Sequence, residues 1–135
     1  MNRDIFLNKR RSLDACLARV GDKYSAGRSS LDDLDTLEII LLNLQRACEI
    51  SIDLAMHAVA SHSLGIPQDS RDAFRLLHHA GWIDEDLSHR MQNMVGFRNV
   101  AIHQYQEISL AVVAAILESR LTDFGSFLDV LKSRL

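Results

Sequence analysis

Proline is nearly missing from this chain: Pro67 is the only one among 135 residues. A proline inside a helix removes a backbone hydrogen bond and clashes with the preceding turn, so its scarcity leaves long stretches free to stay helical. Aromatic residues make up only 6% and glycines number six, too little of either for a sheet protein built on tight hairpins. Cysteine is limited to Cys16 and Cys48. They lack the close spacing of a zinc or redox motif and read as buried thiols in separate helical stripes. No segment reaches the roughly 18 uncharged apolar residues of a membrane span, and Met1–Lys9 lacks the apolar core of a signal peptide, which points to the cytoplasm. Basic residues are not in excess either, since 15 Lys and Arg face 18 Asp and Glu for a net charge of −3. Nucleic-acid binding usually leaves a basic footprint, so any RNA role must rest on a local positive cleft.

What is present is an apolar fraction of 47% rich in leucine and alanine, which fits one all-α domain over residues 1–135. Ile5, Leu13, Cys16, Leu17 and Val20 recur at helical steps and predict a first helix over about residues 2–23. Ser25–Ser30 reads as a loop, with Ser30 a candidate cap and Asp32 and Asp33 in the first turn of the next helix. From Leu31 to about Ser63 there is neither proline nor glycine, which predicts one long helix. Its apolar residues run round the whole circumference, a pattern that implies a partner chain and hence a homodimer. The Gly65-Ile66-Pro67 break precedes a short helix over about 71–80, capped by Asp69 or Ser70 and closed by Gly81. A fourth helix opens at Asp84 or Asp86, and a last one runs from near Ser109 to the C-terminus with Gly125 inside it. The expected architecture is an up-and-down bundle of four long helices plus one short helix.

The chemistry concentrates in Arg98-Asn99-Val100-Ala101-Ile102-His103-Gln104-Tyr105, an R-x4-H-x-Y pattern. Arginine forks hydrogen bonds onto phosphate oxygens and stays charged. Histidine exchanges protons near neutrality, as cleavage of a phosphodiester requires. On an unbroken helix a five-residue step turns about 500°, so Arg98 and His103 stand about 140° apart. They cooperate only if the helix ends or distorts near Ile102, if the arginine stem wraps round, or if two protomers bring them together. Asn99 shares a face with His103 and is placed to orient its imidazole. In an isolated motif of this length the plainer alternative is a surface arginine, a helix-end histidine and a core tyrosine.

The pattern extends to Gly96-Phe97 before the motif, Ser109 after it, Arg71–Leu77 beyond the Gly-Ile-Pro loop, and Glu49–His57 on the long helix. Together these resemble the HEPN superfamily, in particular the HepT-like toxins of type VII MNT/HEPN toxin–antitoxin pairs. The resemblance implies a dimeric helical bundle that acts as a metal-independent endoribonuclease. Arg98 and His103 would be catalytic, and the product would carry a 2′,3′-cyclic phosphate. It further implies that Tyr105 accepts AMP from a cognate MntA-like nucleotidyltransferase, the antitoxin, which uses ATP; the toxin itself needs no cofactor or metal. The alternative is a catalytically silent HEPN module that supports a nucleotidyltransferase, although such a scaffold has no chemical need for Arg98, His103 and Tyr105 together.

Other residues are secondary. Glu49, Asp53 and His57 share a stripe, but the Glu-x-x-His pairs of dicarboxylate metal bundles are missing, which favours structural or supporting roles. Asp53 is expected to approach the cleft and Glu49 to pair with Arg46 or with solvent. His62, His78, His79 and His89 read as exposed, and Arg71, Arg75 and Arg90 as solvated charges that could extend a basic cleft.

Overall fold

The computed structural model describes residues 1–135 and contains helices without a strand. Helix α1 spans Arg3–Lys23, with the Asn2 side chain accepting from Ile5 N–H. Helix α2 spans Leu34–Ser61 and is followed by α3 at Ser70–His79, α4 at Glu85–His103, α5 at Leu110–Ser119 and α6 at Leu121–Lys132. Short 3-10 turns cover Gly27–Asp32 and Tyr105–Glu107. Each cap satisfies a backbone donor that the first helical turn leaves orphaned. Asp69 accepts from Asp72 N–H, Asp84 from Leu87 N–H and Ser109 from Val112 N–H.

Two boundaries depart from expectation. The α2 cap is Asp33, whose carboxylate accepts from both the backbone and hydroxyl of Thr36, whereas Ser30 lies buried in the preceding 3-10 turn. The glycine-free stretch therefore begins with a tighter helical turn, because Asp33 offers two short-range hydrogen bonds that a more distant serine does not. The last predicted helix is broken at Arg120, which separates α5 from α6, while Gly125 stays helical. This turn lets α6 reach α1, α2 and α4 while α5 remains at the edge against α6.

The interior is organised around α2, which touches α1, α3, α4 and α6. Phe6, Phe74, Phe124 and Phe127 are fully buried, and the rings of Phe74 and Phe127 meet edge to face at 5.3 Å. Each such side chain contributes about 1.5–3 kcal/mol by leaving water. On α2, Ile40, Leu41, Leu44, Ile52, Leu54, Ala58 and Val59 are buried by the chain's own helices, over about half of its circumference. Of its other large apolar residues, Leu37, Ile39, Ile50 and Met56 are half-buried and only Leu34 and Leu42 are exposed. The exposed apolar side chains Ile102, Tyr105, Leu110 and Val112 gather instead where α4 ends and α5 begins. No helix is long and apolar enough to cross a membrane.

Candidate active site

Helix α4 carries Arg98, Asn99 and His103 in its last turns, anchored at its other end by the Asp84 cap. The Arg98 guanidinium is mostly withdrawn from solvent, its side chain 18% exposed. Its Nη1 lies 3.5 Å from Glu49 Oε1 on α2, and its Nε donates to Asn99 Oδ1 at 3.0 Å. Beneath this pair, burial pushes the Cys48 thiol up to about 12, against the opposing pull of Arg98. The thiol is an inert part of the floor at neutral pH.

His103 is the last residue of α4 and is exposed, with Gln104 closing the helix through an N–H bond to Val100 O. The helix therefore continues through His103 instead of stopping before it, and Arg98 and His103 remain on different faces. The arginine stem does not wrap round, because Glu49 and Asn99 hold the guanidinium on the α2 side. Tyr105 opens the following 3-10 turn and is 44% exposed, so it is not a core aromatic and its phenol is presented to solvent.

Three supporting residues sit differently from expectation. The Asn99 amide oxygen engages Arg98 and not His103, since Glu49 draws the guanidinium inward and brings Nε beside the neighbouring amide. Asp53 pairs with Lys9 of α1 at 3.2 Å and forms no ion pair with Arg98. Glu49 takes Arg98 as its partner in place of Arg46. The sequence signal for Glu49 was only its presence on a stripe with Asp53 and His57, which helical spacing does not connect to Arg98.

That stripe disperses among separate partners, with His57 Nε2 accepting from the Asn2 backbone N–H. No group of three His, Cys, Asp or Glu side chains is arranged to hold a metal ion. Of the remaining histidines, His62 meets the N-terminal amine at 2.9 Å and stacks edge-on against Trp82, and His78 Nδ1 bonds Ile83 O at 3.0 Å. Arg75 and Arg90 are not free cations: Arg75 pairs with Asp69 and Asp72, and Arg90 with Asp86 and Asp123.

Fold and constellation together define an all-helical HEPN-type bundle, with its R-x4-H-x-Y motif at the end of the fourth helix. The chain belongs to the ribonuclease HepT-like family, whose model matches residues 13–131. It is 41% identical over 130 residues to the mRNA nuclease HepT of Shewanella oneidensis, covering 96% of this chain and 98% of that protein. Its structure is similar to that of the tri-AMPylated Shewanella oneidensis HEPN toxin in complex with MNT antitoxin, with a TM-score of 0.93 at 41% identity over 98% of this chain and 99% of that one. The cytosolic protein of unknown function YutE from Bacillus subtilis shares the fold at 12% identity, with a TM-score of 0.86 over 100% of this chain and 91% of that one.

Proposed function

We propose that this chain, a single HEPN domain over residues 1–135, is the toxin of a type VII MNT/HEPN pair and a metal-independent endoribonuclease of the cytoplasm. The observation that carries the reading is the end of α4, where a clamped arginine precedes an exposed histidine and an exposed tyrosine. Arg98 neutralises charge as it grows on the phosphate oxygens in the transition state. His103 takes the proton of the ribose 2′-hydroxyl as that oxygen attacks phosphorus, then returns a proton to the departing 5′ oxygen. The products are a 2′,3′-cyclic phosphate and a 5′-hydroxyl.

A homodimer supports this chemistry. Arg98 and His103 lie on different faces of one helix, so two copies placed end to end at α4 would complete each other's site. The apolar group Ile102, Tyr105, Leu110 and Val112 supplies a surface for that contact. A partner nucleotidyltransferase would silence the toxin: the Tyr105 phenolic oxygen attacks the α-phosphorus of ATP, pyrophosphate leaves, and AMP remains on the tyrosine. A bulky anion two residues from His103 then occupies the place of the substrate phosphate.

The test is digestion of defined RNAs in EDTA by wild type, Arg98→Ala and His103→Ala, with the product ends identified. Loss of the general base is expected to cost about 10² to 10⁴-fold in rate, or about 3–5 kcal/mol of barrier. A folded His103→Ala protein that cuts at the wild-type rate overturns the assignment. Intact RNA with folded wild type would support the silent module instead.

A further inference from the structure

Beside the His103 face of α4 lies a cavity of about 530 Å³ that the phosphodiester chemistry does not use. Met94 and Phe97 of α4 and Val112 and Ile116 of α5 line it with apolar surface. Asp123 of α6 lines it as well and is only 2% exposed. Its Oδ1 accepts from Arg90 Nη1 at 3.2 Å, while its Oδ2 has no hydrogen-bond partner. Buried polar atoms are normally satisfied, so the unpaired oxygen of this cavity-lining residue can accept from an N–H donor brought against it.

Two further features tie the cavity to the site. Gly96 and Val100 line it, and they belong to the i, i+4, i+7 stripe of α4 that ends at His103. A Cβ on Gly96 would stand 2.7 Å from Arg71 Nη2, so the Arg71 guanidinium of α3 lies directly over this glycine at the edge of the cavity. Arg75, Arg90 and Arg98 each have a carboxylate partner, whereas Arg71 has none. A phosphate-seeking cation thus lies beside the cavity over Gly96, while Arg90 and Arg120 stand in the lining with the Asp123 acceptor.

We propose that this cavity binds one base of the RNA, a guanine, with a neighbouring backbone phosphate held by Arg71. The inference rests on the ribonuclease reading for the identity of the polymer. Flat bases of single-stranded RNA are held between apolar side chains and read along their Watson–Crick edge. Guanine presents two adjacent donors there, N1–H and N2–H, to a carboxylate. Adenine and cytosine place an acceptor nitrogen beside their amino group, and uracil flanks its single N–H with two carbonyls. Glu107, a second carboxylate in the lining, favours the same donor-rich edge.

The experiment measures fluorescence anisotropy of short 2′-fluoro oligonucleotides, which lack the nucleophilic hydroxyl and stay intact, with the full-length protein. A guanine-containing oligomer is expected to bind about tenfold more tightly than its inosine or adenine counterpart. Ala115→Trp, a change at an exposed position in the cavity wall, should erase that preference without disturbing the core. Arg71→Ala should weaken all sequences alike and lower the salt slope by about one. Equal binding of guanine, inosine and adenine overturns the inference, as does a preference that survives Ala115→Trp. So does an Ala115→Trp protein altered only in oligomeric state, which would assign the cavity to contact between copies. Cleavage of unmodified RNA by the same preparation separates the two claims: cleavage without a base preference leaves the ribonuclease reading standing, and guanine preference without cleavage removes that reading while the base site remains.

Discussion

Arg98 of α4 is bridged to Glu49 of α2, with Nη1 and Oε1 3.5 Å apart, and this contact holds the guanidinium on the opposite side of the helix from His103. Glu49 half faces solvent, its side chain 45% exposed, so the pair adds little to stability, about 0–1 kcal/mol. Its consequence is positional.

Glu49→Gln removes the charge that fixes Arg98 and keeps the side-chain shape. The expected outcome is a fall in kcat for RNA cleavage of about tenfold to a hundredfold with a nearly unchanged melting temperature, since small misplacements of a catalytic group cost rates of that order. A lowered melting temperature with kcat retained would assign Glu49 a purely structural role.

Tyr105 is exposed and takes part in no intramolecular side-chain bond, so Tyr105→Phe should alter stability by no more than about 0.5 kcal/mol. Cleavage should persist, while incubation with the cognate nucleotidyltransferase and ATP should leave the intact mass unchanged. A mass gain of AMP on the phenylalanine variant would place the acceptor elsewhere.

The two thiols should differ in reactivity. Burial holds the Cys48 thiol at about 12, and at about pH 8 a group so placed is thiolate in about one molecule in ten thousand. Burial also raises Cys16, though Arg46 opposes it and the residue is only partly covered. Limited alkylation with iodoacetamide, read by peptide mass spectrometry, should modify Cys16 well before Cys48; labelling at equal rates would contradict the buried floor beneath Arg98.

Acid should weaken the start of α2. Hydrogen bonds from the Thr36 hydroxyl and backbone lower the Asp33 carboxyl below its ordinary value of 3.8. The unfolded chain therefore binds a proton there more readily, so the stabilisation is present above the ordinary value and disappears as pH falls through the lower folded value. Asp33→Asn should melt below wild type near neutrality, and the difference should shrink as the pH falls below the ordinary carboxyl value. A gap that stays constant with pH would show that the carboxylate charge is not what caps the helix.

Legibility from sequence followed the range of the interactions involved. Ser109 and the stop at Gly81 are legible, and Asp69 and Asp84 are each one of two candidates, because a cap acts within about four residues of itself; Asp33 is as local, yet Ser30 stands out in its place. The break at Arg120 is not legible, since it answers to where α6 packs and not to a local breaker, and the nearby Gly125 drew attention to the wrong position. The site divided in the same way. Arg98, His103 and Tyr105 stand in one short motif, whereas Asn99 was assigned to His103 by helical spacing and turned instead to its immediate neighbour.

By itself the sequence determined the helical class, the position of α4 and the exposed end that carries Arg98, His103 and Tyr105. These follow from side-chain periodicity, capping and a compact motif, all properties of contiguous residues. Only the tertiary structure decided that Glu49 and not Asp53 meets Arg98, that Lys9 takes Asp53, and that Arg71 lies over Gly96 beside a cavity with an unpaired Asp123 oxygen. The physical reason is that these pairings depend on the rotation and crossing of whole helices about α2, which the packing of the shared core sets and local spacing does not.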